Sequence, residues 1–96
     1  MKRGAYLLNL ARGPIVDEEA VARALQSGRP AGYAADVTER EPPPSNHPFF
    51  RKGVREKVLL TPHIAWASRE SRQRLIMEVA KNIEAFLKGR RRNRVV

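Results

Sequence analysis

The stretch AYLLNLARGPIVDEEAVARAL, residues 5–25, decides the fold. It opens on Ala5-Tyr6-Leu7-Leu8-Asn9-Leu10, a near-continuous apolar run of the kind that forms a strand buried on both faces of a parallel sheet. Ala11-Arg12-Gly13-Pro14 breaks the run, because proline has no amide hydrogen to give to a ladder. Asp17 then has the chemistry of a helix N-cap, and Glu18 and Glu19 fall in the first turn, against the positive end of the helix dipole. Val16 and Val21 are spaced for a hydrophobic staple. Ala20, Val21, Ala24 and Leu25 share one face, and Gly28 supplies a stop.

Outward from this unit the alternation continues. Residues 31–37, Ala-Gly-Tyr-Ala-Ala-Asp-Val, read as a second strand whose small side chains admit a helix at close range. Glu39 to Pro48 cannot be regular structure, because its four prolines remove donors and fix φ. It reads as an exposed loop, with His47 in solvent and with Phe49 and Phe50 pinning its far end to the core. Residues 57–61 form a third strand. Ser68 can cap a final helix, along which Leu75, Ile76, Val79, Ile83, Phe86 and Leu87 make one stripe, and Gly89 ends it. Strands alternating with helices predict an α/β fold: a parallel sheet of about three strands, right-handed crossovers and two helices, the second one long.

The chain has 96 residues, enough for one small domain. With no cysteine, disulfides, thiolate metal sites and thiol nucleophiles are excluded, which fits a reducing compartment. No apolar run approaches the roughly 20 residues that span a bilayer. Met1-Lys2-Arg3-Gly4 and the short run behind it make a poor signal peptide, so a cytoplasmic protein with no membrane partner is expected. The net charge is +9, and Lys88, Arg90, Arg91, Arg92 and Arg94 crowd the C-terminal end. That tail could bind phosphates. A solvated basic end favoured by the helix dipole is the better reading, and nucleic acid is not the expected partner, because no aromatic side chain is interleaved for stacking.

Ligands of open α/β sheets bind beyond the carboxyl ends of the strands. Here the first strand delivers Arg12 to that edge, the second Asp36 and then Glu41, and the third His63. Arg12 can hold a carboxylate bidentately. His63 can give and take a proton near neutral pH, and Glu41 beside it would stabilise the imidazolium. Asp36 could accept a hydrogen bond from an amide-bearing cofactor. Taken singly, each has a plainer use: Arg12 as a surface turn residue, Asp36 as a turn cap, Glu41 as a solvated loop carboxylate, His63 as a structural residue. The functional case rests on their shared edge. No metal is expected, since no second histidine lies three or four residues from His63. Trp66 reads as a packing residue.

Three blocks carry a family resemblance. Asn9-Leu10-Ala11-Arg12-Gly13-Pro14-Ile15-Val16-Asp17-Glu18 resembles the N-x-[AS]-R-G-x-x-[VI]-[DN]-E signature of the D-isomer-specific 2-hydroxyacid dehydrogenases. Residues 31–42 resemble that family's G-x-x-x-D-V-x-x-x-E-P segment, and Leu60-Thr61-Pro62-His63-Ile64-Ala65-Trp66-Ala67-Ser68 resembles its T-P-H block. Trp66 and Asp36-Val37-Thr38 look like the glycerate dehydrogenase (hydroxypyruvate reductase) branch.

The resemblance implies a partial Rossmann-like sheet and an oxidoreductase acting on CH–OH. Hydride would pass between NAD or NADP and a small D-2-hydroxy acid or 2-keto acid of the glycerate, hydroxypyruvate or glyoxylate type. It implies that Arg12, Glu41 and His63 are catalytic, Arg12 on the substrate carboxylate and His63 as acid/base paired with Glu41. Leu10, Ala11, Arg12, Asp36, His63, Ile64, Ala65 and Trp66 would line the cofactor site.

One feature departs from the family pattern: no G-x-G-x-x-G occurs in the 96 residues. Residues 1–96 are therefore expected to be the C-terminal portion of the nucleotide-binding domain, inactive alone and lacking both the phosphate-cradling half and the substrate domain. Its apolar surfaces would then call for the missing half or for self-association. The alternative is a non-enzymatic, anion-binding or self-associating α/β module.

Overall fold

A computed structural model describes residues 1–95. The first of two compact units, Met1–Ala65, carries three parallel strands in the order β1-β2-β3. These are β1 (Tyr6–Asn9), β2 (Gly32–Ala35) and β3 (Val58–Leu60). Helix α1 (Glu18–Gln26) links β1 to β2. The second unit begins at Trp66 and consists of α2 (Arg69–Leu87) and the basic end that follows it.

Local chemistry accounts for the ends of the elements. The Asp17 side chain accepts from Ala20 N at 2.9 Å and caps α1. Gly28, at φ +78°, turns the chain out of the helix, and Arg29 N closes back on Ala24 O at 3.1 Å. Ser68 accepts from Ser71 N at 3.1 Å to cap α2, and Gly89, at φ +64°, follows its last turn. The expected strand, helix, strand, strand, helix order is present, with strands one or two residues shorter at each end than their apolar runs.

The register puts alternate side chains on opposite faces. Leu7 pairs with Tyr33 and Tyr33 with Val58, while Asn9 pairs with Ala35 and Ala35 with Leu60. This face meets Val21, Ala22 and Leu25 of α1, together with Phe49 and Val54 from the β2–β3 connection. Leu25, Phe49 and Val54 are the largest fully buried side chains, each worth about 1.5–3 kcal/mol of apolar burial. The rings of Tyr33 and Phe49 pack at a tilt of 48°, with centroids 5.0 Å apart.

The other face corrects the expectation that β1 is buried on both sides. Tyr6 is 72% exposed, Leu8 61% and Leu59 65%. Within this unit the core elements lie on the Tyr33 side, so the opposite side chains of β1 and β3 stay exposed, while Gly32 and Ala34 between them are buried and half-buried. The α2 stripe is likewise exposed, from Val79 at 49% to Phe86 at 81%. Among the described residues no helix is long and apolar enough to cross a membrane.

The proline loop holds the second correction. His47 is 5% exposed and lies inside the fold. Phe49 does anchor this end of the loop, whereas Phe50 stays 43% exposed. The burial of Phe49 carries His47 in with it, and Glu18, at the first position of α1, supplies the polar partner. Three short 3-10 turns, Gly13–Ile15, Pro48–Phe50 and Arg55–Lys57, lie between the longer elements, and the last takes in Lys57, which read as the start of the third strand.

Candidate active site

All three strands end at one edge, and the ladder continues beyond them. Asp36 N donates to Asn9 O at 3.1 Å, and Thr61 N donates to Ala35 O at 3.0 Å. Asp36 therefore follows the central strand directly, with the Arg12 turn beyond β1 on one side and the His63 turn beyond β3 on the other.

His63 and Glu41 meet. Nδ1 of the ring lies 2.7 Å from Glu41 Oε2. A carboxylate only accepts, so Nδ1 carries the hydrogen and donates it. Both side chains are a little over one-third exposed. The other oxygen, Oε1, accepts from Thr38 N at 3.1 Å, which folds residues 38–41 into a turn that presents Oε2 to the imidazole. The His63 bond and then the Thr38 N–H hold the Glu41 carboxyl below the ordinary carboxylate value, against a smaller opposing effect of desolvation.

His63 itself sits at φ +54°. Non-glycine residues avoid this left-handed region at a cost of roughly 1–2 kcal/mol. The brace that holds it there is Asp36. Its Oδ1 accepts from Thr61 Oγ1 at 2.6 Å and from Ile64 N at 2.9 Å, and its Oδ2 accepts from Ala65 N at 2.9 Å. The Asp36 carboxyl is buried, and it too is held below its ordinary value, by the Thr61 hydroxyl first and with the two amides adding. The turn-capping use of Asp36 is thus realised on the turn that carries His63. Three acceptor positions are filled, and a carboxylate offers about four.

Arg12 leaves the same edge, exposed, with Nη1 donating to Ala11 O at 2.7 Å. Among the described residues no carboxylate pairs with it. Its turn is nonetheless tied to the Glu41 turn through Gly13. A Cβ on Gly13 would lie 2.1 Å from the carbonyl carbon of Thr38 and 2.3 Å from Glu39 N, so only glycine permits this approach. Asn9, 3% exposed, sets the start of the turn, its side chain donating to Arg12 O at 2.9 Å and accepting from Ala11 N at 3.1 Å.

A cavity of about 200 Å³ opens beside the pair, lined by Asp36, Thr38, Glu41, Pro42, Leu60 and His63, among others. Sites that enclose a drug-sized ligand run to roughly 300–1,000 Å³, so this one fits a ring-sized group. Leu10, Ala11, Ile64 and Ala65 stand exposed at the same edge, and Trp66 opens the second unit, 58% exposed. Sequence reasoning missed Thr38 and Thr61, whose hydroxyl and amide groups set the two carboxylates. Their places beside Asp36-Val37 and within Thr61-Pro62-His63 were the available signal. Among the described residues, no group of three or more His, Cys, Asp or Glu is placed to hold a metal.

A family model described as "D-isomer specific 2-hydroxyacid dehydrogenase, NAD binding domain" matches residues 1–65. A glyoxylate reductase of Thermofilum pendens is 52% identical over 89 residues, covering 93% of this chain and 25% of the relative. A glycerate dehydrogenase of Methylorubrum extorquens is 41% identical over 93 residues, covering 97% of this chain and 29% of the relative. The chain thus spans about a quarter of the length of these curated relatives. The crystal structure of a D-isomer specific 2-hydroxyacid dehydrogenase from Xanthobacter autotrophicus, in complex with NADPH and MES, superposes with a TM-score of 0.68 at 37% identity. That superposition covers 93% of this chain and 35% of that one. With most of its length matched by the family model, and with the three expected sequence blocks gathered at one sheet edge, the chain belongs to the NAD-binding-domain family of the D-isomer-specific 2-hydroxyacid dehydrogenases.

Proposed function

We propose that this chain supplies the proton-transfer and nicotinamide-facing part of an NAD(P)-dependent dehydrogenase acting on a small D-2-hydroxy acid or 2-keto acid. The observation that carries this reading is the 2.7 Å bond between His63 Nδ1 and Glu41 Oε2 at the carboxyl edge of a parallel sheet. In the reducing direction, Arg12 holds the substrate carboxylate. His63 donates a proton to the keto oxygen, and Glu41 holds the ring in place through Nδ1. In the oxidising direction His63 takes the hydroxyl proton. The nicotinamide, when bound, supplies or accepts the hydride. The cavity beside Asp36 would take its ring end, and the fourth acceptor position of the Asp36 carboxylate would suit a carboxamide donor. Leu10, Ala11, Ile64 and Ala65, exposed at the same edge, would flank it.

A cavity of about 200 Å³ cannot hold a whole dinucleotide, and the 96 residues contain no G-x-G-x-x-G. The chain accordingly acts as the C-terminal portion of the nucleotide-binding domain and needs a second polypeptide region to bind the phosphates. The exposed Tyr6, Leu8 and Leu59 face is the surface for that region. Glyoxylate or hydroxypyruvate is the proposed keto acid, supported by the similarity to a glyoxylate reductase and a glycerate dehydrogenase.

Two preparations test the reading. The purified chain alone should not oxidise NADH with either keto acid. A chimera carrying these residues in place of the matching segment of the Thermofilum pendens enzyme should. A folded chimera that binds the cofactor and reduces no 2-keto acid would contradict the reading.

A further inference from the structure

Outside the site, the first unit buries a second carboxylate–imidazole pair. Glu18 is 8% exposed and His47 5%, and Glu18 Oε2 lies 2.8 Å from His47 Nε2. The remaining atoms of the pair are also committed. Glu18 Oε1 accepts from Glu39 N at 2.9 Å, and His47 Nδ1 accepts from Phe49 N at 3.3 Å. The ring packs on Phe49 at 5.0 Å. This pattern needs one tautomer, with hydrogen on Nε2 and none on Nδ1.

The pair therefore joins three places: the first turn of α1, the far end of the proline loop at Phe49, and the backbone at Glu39. Glu39 lies inside the turn in which Thr38 N binds Glu41 Oε1 and Thr38 Oγ1 donates to Arg40 O at 2.8 Å. We propose that the Glu18–His47 pair is a positioning device that fixes the 38–41 turn, and through it presents the Glu41 carboxylate to His63. The inference rests on the reading of Glu41 and His63 as the proton-handling pair. Glu18 and His47 touch no reacting atom.

An amide cannot replace the Glu18 carboxylate. The oxygen of Glu18→Gln can accept from Glu39 N, but its NH2 then faces Nε2–H of His47. Moving the ring hydrogen to Nδ1 only transfers the clash to Phe49 N–H. In the complementary variant, His47→Asn, the side-chain oxygen can still accept from Phe49 N, but the donor to Glu18 is lost.

The readout is the Glu41 carboxyl titration, followed by carbon-detected NMR on the glutamate-labelled 96-residue chain. The charged and titratable groups facing Glu41 are His63 and Asp36, and those facing Glu18 are His47 and Tyr33. In the parent chain the Glu41 midpoint lies below the ordinary value of 4.5. In Glu18→Gln and in His47→Asn it should rise toward that value, and amide exchange at Glu39 should accelerate. Glu19→Gln, in the same helical turn but paired with Arg51 at the surface, should leave Glu41 unmoved. A merely structural pair would lower the unfolding midpoint of both variants and leave the Glu41 titration in place, and that result overturns the proposal. The titration needs neither cofactor nor turnover. An inactive chimera would therefore count against the dehydrogenase reading alone, and an unmoved Glu41 against the positioning role alone.

Discussion

His63 Nδ1 donates to Glu41 Oε2 across 2.7 Å, between residues 22 positions apart in the chain. Neither side chain is deeply buried. The contact is held by what stands behind each partner: the Thr38 amide behind Glu41 and the Asp36 carboxylate behind the His63 turn.

The acid dependence of stability should report this arrangement. Glu41 is depressed in the folded chain relative to its ordinary value of 4.5, so the unfolded chain binds protons first as pH falls. The stabilisation is present above the ordinary carboxylate value and is lost as pH drops through the depressed folded value. Glu41→Gln should be less stable than the parent near pH 6–7, with the gap closing on acidification. Urea unfolding from neutral pH down through the ordinary carboxylate value checks the sign. A gap that widens toward low pH would contradict it.

Asp36→Asn should loosen the His63 turn. The amide retains one acceptor but sets its NH2 against a backbone N–H of Ile64 or Ala65. Hydrogen exchange at those two amides should quicken, while exchange in α1 stays near the parent rate. Unchanged protection at Ile64 and Ala65 would show that Asp36 does not brace the turn.

Gly13→Ala should be destabilising through contact alone, since the added carbon lands 2.1 Å from the Thr38 carbonyl carbon. Overpacking of this kind costs about 1–3 kcal/mol. The Arg12 turn must lift from residues 38–39, so chemical shifts at Thr38 and Glu39 should move with it. Equal stability and unmoved shifts would place the turn elsewhere.

How much of this was legible in the residues varies with the range of the interaction. Asp17, Ser68, Gly28 and Gly89 act on their own few neighbours, and their types alone mark the helix ends. The strand ends brought Asp36, Glu41 and His63 to one edge because parallel pairing leaves no other place for them. Tyr6 and Leu8 read as buried because an apolar run carries no sign of which face has a cover. His47 read as exposed because it lies among prolines. Its burial depends on Glu18, 29 positions earlier, and on Phe49 packing against Tyr33. Asp36 showed its chemistry in the sequence but not its donors, which come from 25 to 29 positions downstream.

Within the chimera, Arg12 and His63 should separate in kinetics. Arg12→Lys keeps the charge and loses the bidentate fork, so KM for the keto acid should rise more than kcat falls. Steady-state rates over a range of glyoxylate concentrations check this. An unchanged KM would remove Arg12 from substrate binding.

The most direct measurement is the single-turnover rate of hydride transfer in the chimera, with and without His63→Asn. Asparagine tolerates the left-handed backbone of residue 63, so the turn survives and only the imidazole is lost. The expected outcome is a fall of about 10²–10⁴-fold in the chemical step, with cofactor binding retained. A His63→Asn chimera that binds cofactor and transfers hydride at the parent rate would contradict the account.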